Sequence, residues 1–412
     1  MTDVAAAAEA SPRMEGRARA LGLLALAMLL GMTTWFSASA LVPRLRVDWS
    51  LSTTAAAWLT IAVQIGFVVG ALVSAILNLA DVFPARTVMA ASAAGAAGAN
   101  ALLVVAGSAA AGIPLRFATG FFLAGVYPPL LKVISTWYRR GRGTALGIMV
   151  GALTLGSAVP HLVNGFGGLP WRWVVGVTSL LTLAGAGVAH WLASDGPYPF
   201  PRATFDPRQA GRAFRNRGVR LASLGYFGHM WELYAMWAWF LVFFADSLEA
   251  AGRASTTFAP LATFGVIGVG AVGCWLGGIL GDRWGRSRTT SVAMAISGAS
   301  ALTIGLLFGR SPWLLLAVGV IWGVTVVADS AQFSTVVTEV AEPAYVGTAV
   351  TIQLAVGFTL TVATIWLIPI VRDALSWWWA FAMLGVGPAL GILAMQRLQR
   401  SPVALRIAGG RG

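Results

Sequence analysis

The segment Leu280-Gly281-Asp282-Arg283-Trp284-Gly285-Arg286-Ser287-Arg288 is a short basic stretch between two long apolar runs. The run before it covers residues 258–280 and the run after it covers residues 289–308, and neither contains a charged residue. About twenty residues at a rise of 1.5 Å each are enough to cross a hydrocarbon core of about 30 Å. The segment therefore predicts a tight turn at a membrane surface between two transmembrane helices.

Apolar runs of this length recur along the whole chain, and we count twelve of them. Of the 412 residues, 58% are hydrophobic and only 10% are charged, which inverts the surface composition of a soluble protein of this size. The sequence predicts an all-α membrane protein of twelve transmembrane helices that is surrounded by a lipid bilayer.

The basic residues report the orientation of these helices. The formal net charge is +13, which on its own could suggest binding to nucleic acid. With the amino terminus inside, however, the two tails and the loops from even to odd helices, together with Lys132 at the inner end of the fourth run, hold 21 of the 28 Lys and Arg residues. This bias follows the positive-inside rule. It predicts cytoplasmic termini in an inner (plasma) membrane, contact with anionic lipid, and no nucleic-acid partner.

The chain has the layout of a duplicated six-helix unit. Asp81 and Asp282 follow the second and eighth runs and are 201 residues apart, and the Gly-Thr-Ala triplets at Gly143 and Gly347 are 204 residues apart. One long polar segment with four prolines separates the halves. We predict an N-terminal bundle at 1–193, a basic cytoplasmic linker at 194–220, a C-terminal bundle at 221–396 and a cytoplasmic tail at 397–412.

The pattern Gly278-x-x-Gly281-Asp282-Arg283-x-Gly285-Arg286-x-Arg288 resembles the loop signature of the major facilitator superfamily. The resemblance implies two six-helix bundles related by pseudo-two-fold symmetry, the MFS fold. The first-half loop keeps Asp81 but lacks most of the basic and glycine positions. In this family such an aspartate faces the positive amino end of a helix in the other half and holds the cytoplasmic side shut. By this analogy the cytoplasmic gate would comprise Asp282, Arg283, Arg286, Asp81, Arg140 and Arg142. Alternatively, these charges only mark inner turns.

Charged residues within the apolar runs are candidates for the transport site, because each costs about 2.5–3.5 kcal/mol to insert at the bilayer centre. Glu232 is near the middle of the seventh run, and His229 shares its helix face. They could carry a proton or bind substrate, or form a His–Glu pair that only joins helices. Arg116 resembles the fourth-helix arginine of the family, which implies a role in proton coupling or in binding an anion; alternatively, it extends to the outer surface. Asp329 is interpreted as structural.

Uncharged polar residues within the runs could line a cavity between the halves, or bond helix to helix. The candidates are Gln64, Tyr127, Gln332 and Gln353.

Taken together, the residues and the resemblance predict a monomeric secondary transporter that works by alternating access and is coupled to protons or another ion. The expected substrate is a small molecule, with a lean towards an organic or inorganic anion. An exporter of amphipathic cations and a sensor that no longer transports are the alternatives. Symport, antiport and uniport all stay open. The sequence has no phosphate-binding loop, metal-ligand spacing or nucleophile motif, so no enzyme activity, cofactor or metal is expected.

Overall fold

The computed structural model describes residues 11–138, 141–167, 170–198 and 205–412, without the side chains at positions 11–15, 80, 81 and 207. Within these ranges it contains twelve helices that are long and apolar enough to cross a membrane, and no β-strand. The predicted fold class is therefore confirmed. The helices are α1 (Gly16–Thr34), α2 (Thr53–Ile76), α3 (Ala85–Val105), α4 (Ala109–Ser135), α5 (Arg142–Gly165), α6 (Trp171–Leu192), α7 (Arg217–Ala250), α8 (Phe258–Trp284), α9 (Arg286–Leu307), α10 (Pro312–Val340), α11 (Pro343–Ala374) and α12 (Trp377–Gln399).

Several of these helices begin where a polar side chain can replace a missing backbone partner. Ser52 accepts a hydrogen bond from the backbone N–H of Ala55 at the start of α2. Asn216 does the same for Gly218 and Val219 at the start of α7. Side-chain caps of this kind satisfy the first N–H groups of a helix, which have no partner inside it. The caps therefore fix where these spans start.

The two halves repeat the same close helix packing. In the first half, a Cβ atom on Gly120 of α4 would overlap the carbonyl oxygen of Val63 on α2. In the second half, a Cβ atom on Gly323 of α10 would overlap the carbonyl oxygen of Val266 on α8. Both members of the second contact lie 203 residues after those of the first. Glycine allows two helix backbones to approach closely, so the internal repeat is visible as matched packing as well as matched sequence.

The halves meet along two helix pairs, α5 with α8 and α2 with α11. Odd-numbered helices start, and even-numbered helices end, at one membrane face, which we call the basic face because of its arginines. At this face Trp137 donates to the carbonyl oxygen of Ser194 at 2.9 Å. Arg411 of the C-terminal segment donates to the carbonyl oxygen of Asp282 at 2.7 Å. The tail therefore packs against the loop between α8 and α9.

The segment between the halves contains short helical turns at Pro207–Gln209 and Ala210–Ala213. Helix α7 begins at Arg217, four residues before the predicted bundle boundary, and α12 runs to Gln399, three residues beyond the predicted one. The start of α7 follows its cap at Asn216 rather than the first apolar residue. The domain boundaries given above stay predictions.

Candidate functional site

A cavity of about 280 Å³ lies between the two halves at the basic face. It is bounded by the ends of α2 and α4, the start of α5, and the facing parts of α10 and α11. Lys132 and Arg142 contribute the charged groups, and among the described residues that line the cavity none is an aspartate or glutamate. The uncharged polar lining residues include Asn78, Tyr127, Ser135, Ser334, Thr338 and Thr351. The cavity is therefore apolar in its walls and positive in its charge.

Tyr127 connects this cavity to the centre of the protein. The same side chain also lines a second, much smaller void of about 20 Å³. The other walls of this void come from α5, α7, α10 and α11, and its aromatic members are Tyr226, Tyr234, Trp237 and Phe358. The two spaces therefore follow one line from the basic face towards the middle of the membrane.

An aromatic cluster closes this line at the centre. The ring of Trp35, just after α1, lies 4.8 Å from that of Phe67 on α2 and 5.7 Å from that of Tyr234 on α7. Phe67 in turn lies 4.5 Å from Phe358 on α11. Ring separations of 4.5–7 Å are typical of favourable aromatic pairs. Because two of these pairs, Trp35 with Tyr234 and Phe67 with Phe358, join the first half to the second, the cluster has to part for the halves to separate at this level.

Arg116 of α4 is fully buried in the first half. Its guanidinium group donates to the carbonyl oxygens of Thr34, Trp35 and Leu59, and to the side chains of Ser37 and Asn100. The prediction that it could extend to the outer surface is wrong. Residues 32–41 have lost the regular α-helical pattern, so their carbonyl oxygens accept bonds from Arg116 instead. No described acid pairs with this arginine.

Asn100 of α3 is a buried polar residue that the sequence analysis missed. Its carbonyl oxygen accepts from Arg116, and its amide nitrogen lies 2.9 Å from Ser179 Oγ and 3.3 Å from Thr178 Oγ1 on α6. An asparagine inside an apolar run was the signal that could have identified it. It links α3, α4 and α6 into one hydrogen-bonded unit.

Glu232 of α7 lies inside the C-terminal bundle. Its side chain is 1% exposed, and its carboxyl oxygens accept hydrogen bonds from Ser297 Oγ at 2.8 Å and from Trp322 Nε1 at 2.7 Å. Ser297 is on α9 and Trp322 is on α10, and neither was singled out from the sequence. Glu232 is not among the lining residues of either cavity.

His229 pairs with Asp329 rather than with Glu232. The Nδ1 atom of His229 lies 2.9 Å from Oδ1 of Asp329, and both side chains are 1% exposed. The predicted His–Glu pair is therefore wrong. The reason is geometric, because α10 is interrupted at Asp329 and turns this side chain towards α7. Ser330, the next residue, lines the small central void.

The basic loop between α8 and α9 is organised by Arg286. This arginine is 4% exposed and donates to both carboxyl oxygens of Glu339, to Gln332 Oε1 at 2.7 Å and to Asp282 Oδ1 at 3.3 Å. Glu339 was not identified from the sequence. Gln332, which we considered as a cavity residue, thus supports this loop instead. The loop is held to α10 by charge-assisted hydrogen bonds.

Asp282 faces the start of α5 in the other half. Its Oδ2 atom lies 3.4 Å from Thr144 Oγ1, and a Cβ atom on Gly143 would overlap its carboxyl group. A carboxylate at this place is stabilised by the partial positive charge at the amino end of the helix.

The other predicted gate residues differ in their exposure. Arg142 is half-buried and contacts Ser135 Oγ at 3.3 Å, whereas Arg283 is exposed. Arg140 and the side chain of Asp81 lie outside the described residues.

The remaining predicted residues occupy different surroundings. Tyr127 lines both cavities. Gln353 accepts a hydrogen bond from Ser334 at 3.4 Å. Gln64 is fully buried, and neither of its amide atoms has a hydrogen-bond partner among the residues that the structure describes. The same part of the chain contains no group of three His, Cys, Asp or Glu residues that could hold a metal ion.

Comparison with protein families adds an independent observation. The sequence profile described as Major Facilitator Superfamily matches residues 23–276 of this chain, which is more than half of its length. The chain belongs to the major facilitator superfamily. No curated protein matches it in a search of characterised sequences.

Membership of the superfamily and the twelve spans together make this protein a multi-pass membrane transporter. In this superfamily member the two halves are the N-terminal and C-terminal helix bundles, and the charged cavity lies between them. The contact of Asp282 with α5 joins the two halves next to that cavity.

We expect Asp282→Asn to loosen the contact between α8 and α5. The only cysteine, Cys274, lies in this contact, is 2% exposed, and packs with its carbonyl oxygen against Gly147. Removing the charge that faces the start of α5 should expose this thiol more often. The rate of its alkylation by N-ethylmaleimide in membranes should then rise several-fold.

Asp373→Asn is the matched control for this measurement. Asp373 is 54% exposed at the opposite face and pairs with the neighbouring Arg372. It should leave the alkylation rate of Cys274 unchanged. Equal rates for the two variants would contradict a role of Asp282 in holding the halves together.

Proposed function

We propose that this protein is a proton-coupled secondary transporter that carries a small anion across the plasma membrane by alternating access. The observation that carries the proposal is the cavity between the halves, whose charged lining residues are Lys132 and Arg142. Both charged side chains in the described lining are basic, and charge complementarity favours an anionic occupant. Its volume of about 280 Å³ suits a small solute.

The arrangement of the halves supports alternating access. The cavity lies at the basic face, while the aromatic cluster of Trp35, Phe67, Tyr234 and Phe358 closes the path beyond it. By the positive-inside rule the basic face is cytoplasmic, so the cavity receives solute from the cytoplasm or releases it there. Parting of the cluster, together with closure around the cavity, would expose the site to the other side.

The buried acids of the C-terminal bundle are the proposed coupling groups. Glu232 is held by two neutral donors, Ser297 and Trp322, so its carboxyl group can exist in either protonation state without losing its place. His229 and Asp329 form a second buried pair of side chains that can bind a proton, next to Ser330 at the central void. A change of protonation at these groups would alter the contacts of α7 with α9 and α10, which connects proton binding to helix movement.

The aromatic walls of the central void favour one alternative, an exporter of amphipathic cations. Such an exporter would have to pass Lys132 and Arg142, which repel a cation. The charge of the transported solute therefore separates the two functions.

Transport in proteoliposomes tests the proposal directly. We expect an external pH change when one member of a panel of carboxylates, phosphate and sulfate is added, and none with lipophilic cations. The Glu232→Gln variant should move the same solute without moving protons, because glutamine keeps the shape of the side chain and can still bond to Ser297 and Trp322. The sign of the pH change distinguishes symport from antiport.

The same assay has two contrary outcomes. Proton movement with lipophilic cations alone would favour the exporter. If none of the solutes in the panel is transported, the result would favour a sensor that has the same fold but does not transport.

We expect Arg142→Gln to raise the KM for the transported anion by about tenfold, because one of two cavity charges is lost. Arg253→Gln makes the same change of net charge at an exposed position on the opposite face, and should leave the KM within about twofold of the wild-type value. An unchanged KM for Arg142→Gln would remove the main support for an anionic substrate.

A further inference from the structure

In the part of the chain that the structure describes, two buried tryptophans have indole N–H groups without a hydrogen-bond partner. Trp35 and Trp237 are each 1% exposed, and neither Nε1 atom has a hydrogen-bond partner among the described residues. Other indole groups in this protein are bonded: Trp239 donates to the carbonyl oxygen of Ile365 at 3.0 Å, and Trp231 to that of Met383 at 3.2 Å. Burying a donor without a partner is unfavourable, so two such groups call for a reason.

The two residues occupy equivalent positions in the two halves. Trp35 directly follows α1, Trp237 is on α7, and they are 202 residues apart. This spacing falls between the separation of the two loop aspartates, 201, and that of the two Gly-Thr-Ala triplets, 204. The internal repeat therefore places in each half a buried indole N–H that has no partner among the described residues.

Both indoles belong to the aromatic cluster where the halves meet. The ring of Tyr234 lies 5.7 Å from that of Trp35 and 5.5 Å from that of Trp237. Phe36 also contacts Trp237, with ring centroids 5.8 Å apart. The two tryptophans therefore flank a single tyrosine.

The cluster adjoins the proposed path of the substrate. Trp237 and Tyr234 line the central void, which shares Tyr127 with the cationic cavity. A ligand that enters past Lys132 and Arg142 reaches these rings next. The remaining walls of the void are aromatic and aliphatic, apart from Ser330.

We propose that Trp35 and Trp237 form the central binding site of a monocarboxylate with an apolar, preferably aromatic, body. The proposal rests on the anion transport proposed above. An indole N–H can only donate, so its ligand must present an acceptor, and a hydrogen bond to a charged acceptor is stronger than one to a neutral acceptor. The carboxylate accepts from the two indoles, and the apolar body packs against Tyr226, Tyr234 and Phe358.

Binding at this site is coupled to movement of the halves. The void of about 20 Å³ is smaller than any ring-bearing carboxylate, so the ligand has to replace contacts within the cluster. Those contacts, Trp35 with Tyr234 and Phe36 with Trp237, join the two halves. Insertion of the ligand therefore exchanges contacts between the halves for contacts with the ligand.

Calorimetric titration of the detergent-purified protein with benzoate tests the proposal. Trp35→Phe and Trp237→Phe each keep an aromatic ring and remove the N–H donor, and each should raise the Kd for benzoate by about tenfold. Trp239→Phe is the matched control, because its indole N–H already donates to Ile365. It should leave the Kd within about twofold of the wild-type value. Benzyl alcohol, which lacks the charge, should bind more weakly than benzoate.

The outcomes separate this inference from the proposed function. If benzoate binds the wild type and both phenylalanine variants equally well, the indole site is wrong and the anion transporter stands. The carboxylate class is wrong if phosphate or sulfate binds and benzoate does not. If no anion binds the wild-type protein, both proposals fail. Thermal unfolding of each variant shows whether a lost affinity reflects a lost fold.

Discussion

The hydrocarbon core of a membrane offers no hydrogen-bond partners, so every polar group inside this protein has to find one within the protein or in a ligand. Arg116 meets this requirement with five bonds, three of them to carbonyl oxygens, two of which lie in the irregular segment 32–41 at the end of α1. Glu232 meets it with Ser297 and Trp322. Trp35 and Trp237 do not meet it among the described residues. Arg116 and Glu232 therefore hold helices together through their hydrogen bonds, whereas Trp35 and Trp237 each keep an N–H group that can donate to a ligand.

The two halves share their packing but differ in their polar interiors. Matched glycine contacts bring α4 against α2 and α10 against α8. At the same time, the first half contains the buried His161 and an arginine surrounded by neutral acceptors, and the second contains two buried acids and a histidine. Among the described residues, the buried acids thus lie in the C-terminal bundle. This asymmetry is why we assign proton coupling to that half, while substrate contacts come from both.

The sequence was sufficient for the fold because apolar length, charge bias and repeat spacing are local properties. It also identified Glu232 and His229 as buried polar residues, but their partners are on α9 and α10, and helix spacing along α7 carries no information about them. Arg116 was expected near the surface because its depth was counted along its own helix. The carbonyl groups that bind it are exposed by a local irregularity in α1, which no residue pattern announces.

The central claim is that the halves close around an anion at the basic face and part at the other. Distances between spin labels measure this directly, in a variant whose single cysteine is replaced. One label pair at Ser74 and Thr351 spans the cavity, and a second pair at Val47 and Arg253 spans the opposite face. Adding a transported anion should shorten the first distance and lengthen the second. If both distances stay constant while the anion is transported, alternating access between these halves is contradicted.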